Sequence, residues 1–221
     1  MNPLVSIIIP VYNGSNYLAE AINSALAQNY KNIEIIVIND DSNDDGKTRE
    51  IALRYKDKIK YIEKENGGVS TALNKGIEAM RGEWFSWLSH DDIYLPNKVQ
   101  AQIDFLKDNG DAKFIAAGYI AFYDDGRSYK TFLPEKVLKI NNGYDYFDIF
   151  GFNGCTLLVH KECFKKAGMF NPENQTVQDW ELWLKILKHF PAYFMTEYLV
   201  KTRVHDERCT NTLKDQHKKD L

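Results

Sequence analysis

A chain of 221 residues, 44% hydrophobic and 27% charged, is long enough to bury a substantial core as one large domain or two small ones. Its formal net charge of −3 gives no global positive field, which argues against nucleic acid as a partner and means that an anionic substrate needs local cations or a bound metal. No apolar run approaches the length of a membrane span, and a strand pattern begins by Leu4 with no basic leader, so neither a transmembrane segment nor a signal peptide is expected. Cys155, Cys163 and Cys209 form an odd set without a CxxC pair, which predicts free thiols in a reducing, cytoplasmic setting.

The elements follow in order. Val5 to Ile9 is a short β-branched run suited to a strand buried on both faces, stopped by Pro10. Residues 16–28 carry Leu18, Ala21, Ile22, Ala25 and Leu26 at helical spacing, with Ser15 or Asn16 as the cap. Ile33 to Ile38 is a second strand ending in Asn39, Asp40, Asp41 and Ser42; a helix follows around 46–56, then a strand at 60–62. Asn66, Gly67 and Gly68 signal a turn, Val69, Leu73, Ile77 and Met80 mark a helix face, and Trp84 to Leu88 is a fourth strand. This alternation predicts an α/β layer with a mostly parallel sheet.

The second half is less regular. Pro96 fits the first turn of a helix that ends at Gly110. Strands at 114–123 and 128–132 flank a hairpin turn at Asp124 to Arg127, another strand spans 155–159, and a helix spans 177–190. Trp180 and Trp183 sit on the apolar stripe of that last helix, which makes them core residues rather than a sugar platform. Residues 193–204 read as extended, and the chain beyond is a polar tail.

Chemistry is most visible at Leu88, Ser89, His90, Asp91 and Asp92, where two adjacent carboxylates follow an apolar strand. In a parallel α/β sheet ligands bind at the carboxyl ends of the strands, and acidic groups there suit a divalent metal holding nucleotide phosphates; an Asp-Asp turn that caps the next segment is the plainer reading. Asp40 can accept a hydrogen bond from a base ring nitrogen or cap the following helix as an Asx-turn. No GxGxxG follows any early strand, which disfavours a dinucleotide-binding dehydrogenase.

Several blocks together resemble the family 2 inverting glycosyltransferases of the GT-A fold. Val5 to Asn13 resembles their opening strand, and Ile36 to Asp44 their VDDGSTD turn. Asn66 to Ile77 is similar to the NGGVSxARNxGI block, and Trp87 to Pro96 to the metal-binding DxD turn. Gly154 to Val159, Gly168 to Phe170 and Gln178 to Trp183 resemble the acceptor-side segment with its (E)D motif. The resemblance implies an α/β, GT-A-type domain: a Rossmann-like, mostly parallel central sheet flanked by helices, with a smaller acceptor-side sheet region. It covers residues 1–205, about 1–100 being the nucleotide-binding half and 101–205 the acceptor-binding half, with a tail at 206–221.

It further implies a metal-dependent transferase of the hexosyltransferase type, moving a sugar from a UDP-sugar to an acceptor hydroxyl in bacterial polysaccharide or glycan synthesis. Pro10, Val11 and Tyr12 would border the nucleoside, and Asp40 would bind uracil, beside Asn66 and Gly67. His90, Asp91 and Arg203 would meet the ribose and diphosphate. Asp91, Asp92 and His205 would hold Mn²⁺ or Mg²⁺. Asp179 would be the base, with a pKa raised beside Trp180, or else a helix N-cap; both can hold at once. Ser89 stands where the family has the first Asp of DxD, Leu73 where it commonly has Arg, and Gln178 where it usually has Glu. The partners expected are the nucleotide-sugar, a glycan or lipid-linked saccharide acceptor, a second copy of the chain and a membrane surface touched peripherally at the cytoplasmic side. Two alternatives are a nucleotidyltransferase, which should show a basic Gly-rich loop where this chain has Tyr12 to Asn16, and a nucleotide-binding module without catalysis.

Overall fold

The computed structural model describes residues 2–143, 145, 152–174 and 176–206. The first half follows its hydrophobic pattern: β1 (Val5–Val11), α1 (Leu18–Leu26), β2 (Ile33–Asn39), α2 (Lys47–Leu53), β3 (Lys60–Glu63), α3 (Gly68–Ala79) and β4 (Trp84–Trp87). All of β1 and β4 is buried, as unbroken apolar runs in a covered parallel sheet require. These strands pair in parallel in the order β3-β2-β1-β4, so the sheet grows one way from β1 and then the other. Between β1 and β4 lies a topological switch point, where the carboxyl ends of the strands open a crevice. Helix α3 lies directly on β1: a Cβ at Gly76 would come within 2.3 Å of Ile8 Cγ2, so this approach needs glycine.

The second half adds β5 (Ile93–Tyr94), α4 (Lys98–Asp108), β6 (Phe114–Phe122), β7 (Ser128–Lys130), β8 (Leu138–Ile140), β9 (Leu158–His160), α5 (Lys161–Ala167), α6 (Gln178–Leu187) and β10 (Ala192–Arg203). They extend the same sheet in the order β4-β9-β6-β10-β5, with β7 on β6 and β8 on β10. Strand β9 runs antiparallel to both β4 and β6, whereas β10 is parallel to β6. One mixed sheet therefore runs through both halves of a single domain.

Several local expectations need correction. Helix α1 begins after Tyr17, which makes no side-chain cap, because the chain enters through a turn in which Gly14 O accepts from Tyr17 N and Leu18 N; Ser15 and Asn16 are not its cap. Pro96 lies two residues before α4, where its carbonyl accepts from Asn29 N at 2.8 Å. The strand expected at 155–159 is a 3-10 turn at Gly154–Thr156 followed by β9, because the Asn153 side chain accepts from Cys155 N and turns the chain. Strands β5 and β8 and helix α5 carry too few residues to show a period and were not expected. Trp183 is fully buried and Trp180 packs partly against the core, as their spacing predicts. Cys155 and Cys163 are buried free thiols; Cys209 and the tail from 207 lie outside the described residues.

Under the β4 end sits a cation that no sequence pattern places in a core. Lys98 is fully buried, its Nζ 2.5 Å from Ser86 Oγ and 2.8 Å from Leu157 O, and 4.5 Å over the Tyr94 ring. Ser86 Oγ also lies 2.8 Å from Tyr94 Oη, so this cluster bolts β4 to the turn that leads into β9. Burial pushes the Lys98 pKa down to about 7. Between pH 7 and its ordinary value the unfolded chain holds a proton that the folded chain has released, so stability from this group rises with pH. Burial raises the Cys155 and Cys163 thiols, which reverses the sign once the unfolded thiols ionise. Denaturant titrations from pH 6.5 to 8 should therefore show stability increasing by on the order of 1 kcal/mol more in the parent than in Lys98→Met; parallel profiles would contradict the assignment.

Candidate active site

The ends of β1, β2, β4 and β10 and the start of α6 carry the predicted residues. At the ends of β1 and β2, Asp40 N donates to Val11 O at 2.9 Å, and Ser42 Oγ accepts from Asn13 N at 2.9 Å. Asp40 is buried, and its carboxylate accepts from Lys64 Nζ at 2.5 Å, Gly68 N at 2.7 Å and Gly67 N at 3.2 Å. Asn66 Nδ2 donates to Asp40 O at 2.9 Å. Three of the roughly four acceptor positions of a carboxylate are thus filled by protein donors. Asp40 fastens the loop 64–68 to the end of β2, and Gly68, at φ +81°, allows the sharp entry into α3. Pro10 and Val11 are buried in β1, while Tyr12 stands 44% exposed just past its end. Lys64 is the partner that no motif pointed to.

At the end of β4, Leu88 N donates to Ile8 O at 3.0 Å and Asp92 N to Ser89 O at 3.2 Å, closing a tight turn. The two adjacent carboxylates diverge. Asp91 Oδ2 lies 2.9 Å from His205 Nε2, both side chains mostly shielded. Asp92 is turned inward, its Oδ1 accepting from Arg203 N at 3.0 Å and its Oδ2 from Thr202 Oγ1 at 3.5 Å. Asp92 therefore fixes β10 to the turn rather than facing a metal beside Asp91. Arg203 is likewise absorbed: its guanidinium pairs with Glu20 and Asp124 and stacks 4.2 Å from the Tyr17 ring and 4.6 Å from the Phe122 ring. Its Nε donates to Asp91 O at 3.2 Å, so it holds the turn instead of reaching for a diphosphate. Ser89 contacts Cys155 Sγ through both N (3.3 Å) and Oγ (3.2 Å).

The His90 ring packs against Gly14, where a Cβ would come within 2.6 Å of it, and burial lowers its pKa, so the imidazole is neutral near pH 7. Asp91 and His205 form a carboxylate–imidazole pair suited to a hard or borderline cation. No group of three His, Cys, Asp or Glu converges on one point among the described residues, so a cation held here would need substrate oxygens and water to complete its shell.

Asp179 sits in the first turn of α6. The N-cap is Val177 with no side-chain cap bond, so the capping role is not the one Asp179 takes. Its carboxylate accepts from Trp180 N at 2.9 Å, and burial raises its pKa to about 6 despite that bond. The neighbouring Gln178 is buried, and its Oε1 has no partner among the described residues. The loop before α6 is tied to α3 through Asn74, whose side chain donates to Phe170 O at 2.8 Å and accepts from Phe170 N at 3.0 Å. Rings pass from Trp87 to Phe170 at 6.0 Å and on to Trp183 at 5.6 Å, packing the β4 end against α6. Leu73 is fully buried, so its position belongs to the core and not to a phosphate contact.

The model of the family described as Glycosyl transferase family 2 matches residues 6–168. The chain belongs to that family. As a family 2 glycosyltransferase it is 49% identical to an uncharacterized glycosyltransferase of Rickettsia conorii over 97% of this chain and 36% of the relative. The domain thus spans about a third of that relative's length. It is 33% identical over 91% of its length to the putative teichuronic acid biosynthesis glycosyltransferase TuaG of Bacillus subtilis, of which it covers 79%. Among solved structures, S. aureus TarS 1–349 in complex with UDP-GlcNAc superposes with a TM-score of 0.79 at 16% identity, covering 94% of this chain and 60% of that one. That likeness carries the GT-A fold of this glycosyltransferase.

Proposed function

We propose that this domain transfers a sugar from a UDP-sugar to an acceptor hydroxyl with inversion, in the synthesis of a cell-surface polysaccharide. The observation that carries the reading is the pairing of Asp91 with His205 at the β4 end, in a domain whose α6 carries a carboxylate that burial raises to about 6. The nucleoside would lie over the ends of β1 and β2, with the base against Tyr12 and the loop that Asp40, Asn66 and Gly67 hold in shape. His90, neutral and packed on Gly14, would line the ribose. Asp91 and His205 would hold Mn²⁺ or Mg²⁺, which supplies Lewis-acid neutralisation of the departing diphosphate. Asp179 would take the proton from the acceptor hydroxyl as it attacks the anomeric carbon on the face opposite the diphosphate, and the buried Gln178 Oε1 would accept a second hydroxyl bond from the acceptor.

Support for the donor comes from TarS, solved with UDP and with UDP-GlcNAc. Support for the acceptor comes from TuaG and from GgaB of Bacillus subtilis, a minor teichoic acid biosynthesis protein 35% identical over 56% of this chain. Ser89, turned to Cys155 where a carboxylate is usual, favours a second reading as a nucleotide-binding module without turnover. Release of UDP from a panel of UDP-sugars separates the two: Mn²⁺-dependent release from one of them is expected, whereas nucleotide binding with no release from any would favour the module.

A further inference from the structure

Among the described residues the large apolar side chains that stand most exposed are Tyr12, Leu53, Tyr129 (52%), Phe132 (53%) and Val137 (42%). The last three fall within nine residues of one another in the sequence, on β7 and the connection to β8. Among the described residues strand β7 pairs only with β6, so this stretch is a sheet edge. Between Gly126 and Ile140 it carries four cations, Arg127, Lys130, Lys136 and Lys139, against the single carboxylate of Glu135, in a chain whose net charge is −3. Arg127 pairs with Asp125 at the hairpin turn. Lys130, Lys136 and Lys139 are exposed and form no close ion pair among the described residues; Lys130 lies 5.2 Å over the Tyr198 ring, and Lys139 lies 5.3 Å over the Tyr193 ring, whose hydroxyl, with the Asp111 carboxylate behind it, raises the Lys139 pKa.

A lysine on an edge strand often serves only to prevent edge pairing, but it does not account for three large apolar groups left in water beside it. Aromatic rings with aliphatic neighbours and lysines on long stems are the composition that lies at a bilayer interface, rings at headgroup level and ammonium groups reaching phosphates. A protein partner of matching shape would be expected to leave fewer unpaired lysines, since lysine is depleted in such interfaces.

We propose that the edge formed by β7 and the β7–β8 connection rests on an anionic membrane surface, with Lys130, Lys136 and Lys139 on the headgroups and Tyr129, Phe132 and Val137 at the interface. No described helix is long and apolar enough to cross a membrane, so this contact is peripheral. The hairpin turn that precedes the edge includes Asp124, whose carboxylate pairs with Arg203, which in turn holds the Asp91 carbonyl. The membrane-facing edge is thereby tied to the end of the sheet that carries the candidate site, and a lipid-linked acceptor would be presented close to it. The surface assignment itself stands without the transfer reaction.

The test is co-sedimentation of the full chain with phosphatidylcholine vesicles, with and without phosphatidylglycerol. Binding only to the anionic vesicles, weakened by salt, is expected. The triple variant Lys130→Gln, Lys136→Gln, Lys139→Gln should bind roughly 100-fold more weakly, at about 1 kcal/mol for each lysine. Phe132→Ser should weaken vesicle binding in a protein that still unfolds cooperatively, its midpoint lowered only by the lost ring contact to Phe194. Three results would overturn the proposal: no vesicle binding by the parent chain, equal binding to neutral vesicles, or lysine-dependent binding of a soluble anionic polysaccharide in place of vesicles. Self-association lost on Phe132→Ser, without vesicle binding, would assign the edge to a second copy instead.

Discussion

Replacing Asp179 by Asn should lower turnover at least ~100-fold while leaving donor affinity unchanged, the scale expected for a lost general base. The side chain keeps its size and the bond from Trp180 N, so the variant removes proton affinity rather than shape. Burial lifts the carboxyl to about 6, so turnover of the parent should rise with pH through that value and then level off. Stability should move the other way. A carboxyl whose folded pKa exceeds its unfolded one contributes stability that is fully present below the unfolded pKa and lost as pH rises through 6. Ionised Asp179 is therefore a burden on the fold at pH 7, and Asp179→Asn should melt higher than the parent at pH 7 and equally near pH 4. Unchanged turnover would remove Asp179 as the base; lost turnover with lost donor binding and a lower midpoint would mark it as merely structural.

Asp91→Asn should abolish the metal dependence of nucleotide binding and weaken UDP affinity in Mn²⁺ by at least ~10-fold, because it removes the one carboxylate that the β4 end turns toward His205. Asn can still accept from His205, so the loss would report charge rather than local collapse. The same substitution at Asp92 should behave differently. Asp92 accepts from Arg203 N and Thr202 Oγ1, so Asp92→Asn should lower the thermal midpoint and leave Mn²⁺ dependence in place. Calorimetric titration of UDP with and without Mn²⁺ separates the two. Equal metal dependence in Asp91→Asn and the parent would sink the metal assignment.

The divergence of these two neighbours marks the limit of what the sequence makes legible. Apolar runs and helical spacing locate β1 to β4, and the strand-end residues Asp40 and Asp91 are visible because acids following a buried strand need a reason. Which way each carboxylate points depends on β10, more than a hundred residues away, and that is invisible to spacing. Arg203 reads as a cation available for phosphate until Glu20 and Asp124 arrive from α1 and the β6–β7 turn. Lys64 and Lys98 look like surface lysines because their partners, Asp40 and the Ser86 hydroxyl, are joined to them only by the fold. Short strands such as β5 and β8 exist because β10 offers an edge for pairing, and two or three residues carry no period of their own. Asn74 carries a family-like block, yet its bonds to Phe170 show a joint between α3 and the loop before α6.

The most direct measurement is thermal unfolding of the parent chain with UDP, GDP and CDP, each with and without Mn²⁺. A nucleotide at ~100 times its dissociation constant stabilises by about 2.7 kcal/mol, which moves the midpoint by several degrees for a domain of this size. A donor site at the ends of β1, β2 and β4 predicts a Mn²⁺-dependent rise with UDP that exceeds those with GDP and CDP and disappears in Asp91→Asn. A folded protein whose midpoint is unmoved by every nucleotide, with or without the metal, would contradict it.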